Sequence, residues 1–171
     1  RMETAVRLIG EMELRMRRMD PLAIGRRAQR PVKQKLSAFV TPVLAAFGDR
    51  LDEAGITVEP LRGVDPEVEL SVVVVQQVLA NLLDNSIFWL GQKEGARVLS
   101  IYLNRAGFVV VNNGPKIPET SLEQVFEPHF TTRPEASGMG LTLCRDLLLT
   151  VGGRITVSNG VEGVMWTLVV G

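Results

Sequence analysis

The stretch from Val72 to Leu90, unbroken by Gly or Pro, constrains the fold more than any other part of the sequence. Val72–Val75 alone would suit a strand, but the long continuation favours a helix, with Ser71 as its N-cap and Gly91 as its end. Inside it, Asn81 and Asn85 stand four residues apart, on one helical face with Val78, Leu82 and Phe88 around them. A buried primary amide is costly unless its donor and acceptor are met. Two readings stand open on spacing alone. The amides bond to each other or to nearby backbone, or they serve a polar ligand, an amide oxygen being a hard donor suited to Mg²⁺.

The chain has 171 residues, enough for one domain with a full core plus an appendage. Lys+Arg 19 against Asp+Glu 19 argues against a mainly electrostatic nucleic-acid binder, and none is expected as partner. The single Cys144 excludes an intrachain disulfide and a multi-cysteine metal site. Apolar runs such as Val72–Val75 are too short to span a membrane, so no membrane segment is expected. The chain begins at Arg1 without a signal-peptide pattern and is expected to be a piece of a longer protein.

Residues 1–19 carry Met2, Val6, Ile9, Met12, Met16 and Met19 at helical spacing, opposite Arg7, Arg15, Arg17 and Arg18. We expect residues 1–30 to form a helical appendage and linker, a candidate homodimer helix, and residues 31–171 to form the main domain. A helix is expected from about Pro31 to Ala54, on the stripe Leu36, Phe39, Val40, Val43, Leu44, Phe47 and Leu51. Strands are expected at Ile56–Leu61 and Val68–Leu70. Arg97–Asn104 and Gly107–Val111 alternate as a hairpin around Arg105-Ala106. Ser121–Val125 reads as one helical turn, 126–140 as loop and Leu141–Val151 as helix. Arg154–Ser158 and Val164–Val170 close the chain as strands. This order predicts an α+β fold, a two-layer sandwich of a mixed, mostly antiparallel sheet with helices on one face.

Three loop segments follow the asparagine helix, the first and third of them bearing glycine. They are Asn112-Asn113-Gly114-Pro115-Lys116-Ile117-Pro118, then Val125-Phe126-Glu127-Pro128-His129-Phe130-Thr131-Thr132-Arg133, then Gly138-Met139-Gly140-Leu141-Thr142-Leu143. A Gly-x-Gly that opens a helix presents free backbone N–H groups and a positive dipole end, which suits phosphate. In this order Val78–Ser86 of the asparagine helix and the three segments resemble the N box, first glycine box, F box and second glycine box of the ATP-binding domain shared by gyrase, MutL and the histidine kinases, the GHKL superfamily. The Phe-Glu-Pro and Phe-Thr-Thr pieces point to the histidine-kinase branch, and the likeness runs over roughly residues 33–171.

The resemblance implies a Bergerat-type fold that binds ATP with Mg²⁺ and transfers or hydrolyses the γ-phosphate. Asn85 matches the asparagine that holds Mg²⁺ between the phosphates, with Asn81 beside it as a second candidate. Asn81 stands where gyrase has a general-base glutamate, and an amide takes no proton from water at neutral pH. Asn81 and Arg133 are the candidate catalytic residues, Arg133 reaching for the terminal phosphate. The implied nucleotide contacts are Asn81, Asn85, Asn112, Gly114, Ile117, Phe126, Thr131, Thr132, Arg133, Gly138, Met139, Gly140, Leu141 and Thr142. Segment 126–138 would be a lid over the site.

Three positions depart from the pattern. Asn112 replaces the aspartate that accepts from the adenine amino group, an expected loss on the order of 1 kcal/mol, roughly fivefold in affinity. Lys116 replaces a glycine and carries strain if that position needs φ > 0. Thr142 replaces the third glycine, and its hydroxyl is a candidate phosphate contact. His129 is expected to pack, Phe88 and Trp89 to lie in the core, and Cys144 to be an inert core thiol. Residues 1–19 hold no histidine where a histidine kinase carries its phosphoacceptor. The expected function is therefore the Mg-ATP-binding catalytic domain of a cytoplasmic signalling protein, itself free to be membrane-anchored, with an unidentified protein phosphoacceptor or response partner. The alternatives are a nucleotide-gated interaction module and a degenerate scaffold.

Overall fold

The computed structural model describes residues 30–134 and 136–170. The expected appendage helix over residues 1–19, and with it the dimer helix, lies outside the described residues. Strand β1 (Pro31–Lys35) is followed by helix α1 (Leu36–Glu53), then short strands β2 (Ile56–Val58), β3 (Arg62–Gly63) and β4 (Glu67–Ser71). Helix α2 (Val72–Gly91), strands β5 (Arg97–Asn104) and β6 (Gly107–Asn112), helix α3 (Gly140–Thr150) and strands β7 (Arg154–Asn159) and β8 (Val164–Val169) complete the order.

The main sheet runs β2-β5-β6-β8-β7, antiparallel except at its edge, where β2 and β3 both pair parallel with β5. The α+β sandwich expected from the sequence is the fold found. Alternation places Leu99, Ile101 and Leu103 of β5, Phe108 and Val110 of β6, and Trp166 and Leu168 of β8 in the core under the helices. The same alternation carries Asn112 inward at the end of β6, with only 4% of its surface exposed.

Three local expectations are corrected. Pro31–Lys35 is a strand rather than the first turns of α1, because it pairs antiparallel with β4 in a small second sheet. The cap that starts α1 comes from far along the chain. Asp65 accepts from the Ser37 backbone N–H at 2.9 Å and from the Ser37 hydroxyl at 2.7 Å, and Pro66 accepts from Leu36 N–H. The strand expected over Ile56–Leu61 stops at Val58 and resumes as β3 beyond Pro60. The single turn expected at Ser121–Val125 is two 3₁₀ turns, Glu119–Ser121 and Gln124–Phe126.

Helix α2 begins as expected, with the Ser71 hydroxyl accepting from Val74 N–H at 3.3 Å. By length and composition it is apolar enough to cross a membrane. In this fold it is the core helix, with Val74, Val75, Val78, Leu79, Leu82, Leu83 and Leu90 buried between α1, α3 and the sheet. Gln77, Asn81, Asp84 and Asn85 share one half-buried side of it, while Ser86 is buried. Arg97 ties the ends of the helices to β5, donating to the Ala54 carbonyl at 2.6 Å and the Lys93 carbonyl at 3.2 Å.

Candidate functional site

The stripe Asn81, Asp84, Asn85 and Trp89 follows the helical repeat along one side of α2 and forms a wall of a cavity of about 560 Å³. That volume suits a cofactor-sized ligand. The opposite wall comes from the loop after β6 and from the lid, and the floor from β6 and β8. Of the residues expected to hold a nucleotide, Asn81, Asn85, Asn112, Ile117, Thr131, Thr132, Arg133, Gly138, Gly140 and Leu141 line it. The cavity has two chemically distinct ends. Around Asn112 lie Val164, its register partner on β8, with Trp166, Ile117 and Trp89. Around Asn85 lie Asp84, Arg133, the two threonines and the glycines that open α3.

The asparagine pair divides in role. Asn81 donates from Nδ2 to the Gln77 carbonyl one turn back, at 3.1 Å. Its oxygen faces α3, 3.3 Å from where a Cβ on Gly140 would stand, so a side chain there would crowd the amide. Asn85 turns its oxygen to the lid and accepts from Nη1 of Arg133 at 3.3 Å.

Arg133 is held from three sides. Nη1 also bonds Oδ2 of Asp84 at 2.8 Å, and the guanidinium lies 4.4 Å from the centre of the Phe88 ring. Its Nε is buried with no acceptor among the described residues. Asp84 binds Arg50 of α1 on its other oxygen at 2.6 Å. Burial pushes the Asp84 carboxyl up, but hydrogen bonds from Arg133 and Arg50, and their charges, outweigh it and hold the group below the ordinary carboxylate value. The Thr131 hydroxyl accepts from Arg133 N–H at 3.0 Å and fixes the turn that presents the arginine.

The lid is closed at its neck by backbone. Gly138 has φ +68°, and a Cβ on it would run into the backbone of His129, itself the one non-glycine with positive φ (66°) among the described residues. On the far side, Asn159 grips Ile117, donating to its carbonyl at 2.7 Å and accepting from its N–H at 3.0 Å. That clamp sets Ile117 into the cavity wall.

Several expectations change. The Thr142 hydroxyl is not turned to the cavity; it is buried and donates to the Phe126 carbonyl at 3.1 Å. Phe126 stands behind the wall, edge-on to Trp166 at 6.3 Å. Met139 is exposed outside the cavity, and Gly114 lies beneath it, donating its N–H to Asn112. Lys116 sits at the rim without positive φ, so no strain attends the missing glycine. Phe88 and Trp89 are half-buried rather than core, one under Arg133 and one in the wall. The His129 side chain is exposed, and it is its backbone that packs. Cys144 is fully buried as expected, and burial pushes its thiol up to about 12 against a smaller opposing effect of the Asn81 amide.

Sequence reasoning missed Asp84 and Asn159. A carboxylate on the asparagine face, one residue before Asn85, was the available signal for the first. The second is a bond across 42 residues, which no local pattern marks.

Comparison with known proteins agrees with this geometry. The chain is 34% identical over 152 residues to the C4-dicarboxylate transport sensor protein DctB of Pseudomonas aeruginosa, covering 82% of this chain and 24% of that protein. The chain thus spans about a quarter of that relative's length. The catalytic domain of histidine kinase ThkA superposes with a TM-score of 0.71 at 28% identity, over 82% of this chain and 94% of that one. ThkA in complex with the response regulator TrrA matches with a TM-score of 0.67 at 26% identity, over 99% of this chain and 46% of that one. The family model of the histidine kinase-, DNA gyrase B- and HSP90-like ATPases matches residues 71–169, from the cap of α2 to the last residue of β8. With α2, the Asn112 strand end, the lid and α3 all inside that match, the chain belongs to this family of ATPases, as a nucleotide-binding catalytic domain of the histidine-kinase type.

Proposed function

We propose that the cavity binds Mg-ATP, with the base at the Asn112 end and the phosphates at the Arg133 end, and serves transfer of the γ-phosphate to a protein acceptor. The observation that carries this reading is the division of one cavity into an apolar end with a single buried amide and a polar end with a lid arginine. Asn85 would hold Mg²⁺ through Oδ1, an oxygen already presented to a cation, with the Asp84 carboxylate beside it. The ion supplies neutralisation of the phosphate charge. Arg133 brings one buried donor without an acceptor, which a phosphate oxygen would meet. The backbone N–H groups opening α3 and the threonines of the lid orient the phosphates. Asn81 keeps the site from gyrase-type base catalysis, because an amide takes no proton from water. Positioning and charge neutralisation suffice for phosphoryl transfer.

In this reading residues 31–171 form the ATP-binding domain on the cytoplasmic side of a larger signalling protein. The phosphoacceptor belongs to another segment or chain, and a response regulator is the downstream partner, as the ThkA–TrrA complex supports by analogy. A second reading, a nucleotide-gated interaction module, is favoured by Arg133 pinning the lid to α2. Thermal melting with Mg-ATP, and phosphate release with Asn85→Ala as control, test the proposal. Mg-ATP at 100 times its Kd stabilises by about 2.7 kcal/mol, a rise of roughly 5–10 °C for a domain this size. No rise at millimolar Mg-ATP overturns the proposal, and a rise without turnover selects the gated module.

A further inference from the structure

Asp84 and Phe88 stand four residues apart on α2, so they share one face of the helix, with Asn85 beside them. All three meet Arg133 of the lid. Asp84 and Asn85 accept from its Nη1 at 2.8 and 3.3 Å. The Phe88 ring takes the guanidinium from another side, with its centre 4.4 Å from Cζ. That ring is itself braced at right angles by Trp89, the two ring centres lying 5.0 Å apart. Trp89 lines the cavity and Phe88 does not. Phe88 therefore touches the arginine and stands outside the wall that a ligand would meet.

A ring face attracts a cation without accepting a classical hydrogen bond from it. It therefore fixes where the guanidinium lies and takes none of its five N–H donors. Both hydrogen bonds that the guanidinium makes among the described residues leave from Nη1, and Nε has no acceptor there. The edge that remains, Nε with Nη2, is one that a guanidinium can turn to two oxygens of a phosphate. Resting on the nucleotide reading of the site, we infer that Phe88 is a positioning residue for Arg133, its ring seating the guanidinium so that this edge is kept for the phosphates. An aliphatic side chain of similar bulk would fill the same space and offer the cation no such attraction.

Calorimetry with Mg-ATP on the full 171-residue chain tests this. Phe88→Leu keeps apolar bulk and removes the ring. It is expected to weaken Mg-ATP binding about three- to tenfold, the range of a half-buried cation–π contact. Phe88→Tyr keeps the ring face and is expected to bind within about twofold of wild type. Arg133→Ala removes the cation. In that background Phe88→Leu is expected to change affinity by less than about twofold, because the ring acts only through the arginine. An equal loss in both backgrounds assigns Phe88 to packing and overturns the inference. Wild-type or tighter affinity in Phe88→Leu overturns it too, as does a loss in Phe88→Tyr as large as in Phe88→Leu. Where Phe88→Leu does not melt cooperatively, Phe88→Met takes its place in both backgrounds under the same criteria. If Arg133→Ala weakens Mg-ATP binding and Phe88→Leu does not, the inference fails and the site reading stands. If the wild type does not bind Mg-ATP, the site reading fails and this inference with it.

Discussion

Nη1 of Arg133 stands 3.3 Å from Oδ1 of Asn85, so the oxygen assigned to Mg²⁺ already faces a cation carried by the lid. The same nitrogen holds Asp84 more closely, at 2.8 Å. Removing the Asn85 amide therefore spares the main anchor of the lid arginine. Asn85→Ala is expected to change the melting temperature by less than about 2 °C, in line with loss of one weak half-exposed contact. Its affinity for Mg-ATP is expected to fall at least about tenfold, while affinity measured in EDTA changes little. Calorimetry with and without EDTA reads both. An equal loss in both conditions would mean that Asn85 serves the phosphates and not the ion.

Asp84 is bracketed by two arginines, Arg50 from α1 and Arg133 from the lid. Its carboxyl lies below the ordinary 3.8 in the fold. A group with a lowered folded value contributes stability that is present above its unfolded value and lost as pH falls through the folded one. The side chain is 40% exposed, so solvent and salt screen the pairs. Asp84→Asn is expected to lower stability at pH 7 by about 1 kcal/mol, roughly 2–4 °C in melting temperature. The gap to wild type should close as pH drops below about 4. A gap that persists at pH 2 would assign the effect to packing instead.

Cys144 is fully buried, and its thiol is pushed up to about 12 from a usual 9.0. The nucleophile in alkylation and disulfide exchange is the thiolate. The native chain is therefore expected to resist a thiol-specific reagent at pH 8 and to react with one equivalent in denaturant. A raised folded value also means that stability is fully present below about pH 9 and is lost as pH rises towards 12, because the unfolded thiol ionises first. Fast labelling of the native chain would show that α3 opens from α2 locally.

What could be read from the sequence was what short-range periodicity controls. The pitch of α2 puts Asn81 and Asn85 on one face, and the alternation of β5 and β6 around Arg105-Ala106 fixes their hairpin. What could not be read depends on partners distant in the chain. Pro31–Lys35 is a strand only because Glu67–Ser71 lies beside it, and α1 takes its cap from Asp65. Phe88 follows the core-like pattern of its helix, yet its ring serves Arg133 from 45 residues on. Thr142 sits in a phosphate-type loop by spacing, but the Phe126 carbonyl captures its hydroxyl.

The neck of the lid gives the last test. Gly138 needs positive φ, and a Cβ on it would meet the His129 backbone, so the two ends of the loop carrying Thr131, Thr132 and Arg133 touch without room for a side chain. Gly95 has φ +80°, but a methyl added there would meet nothing within 4 Å, so it isolates the cost of backbone strain. Gly95→Ala is expected to cost about 1–2 kcal/mol and to leave Mg-ATP affinity unchanged. Gly138→Ala is expected to carry that cost and, by displacing Arg133 by even an ångström, to weaken Mg-ATP binding at least about tenfold. Melting and calorimetry on the two variants separate these effects. Wild-type affinity in Gly138→Ala would mean that the phosphate contacts do not depend on how the neck is closed.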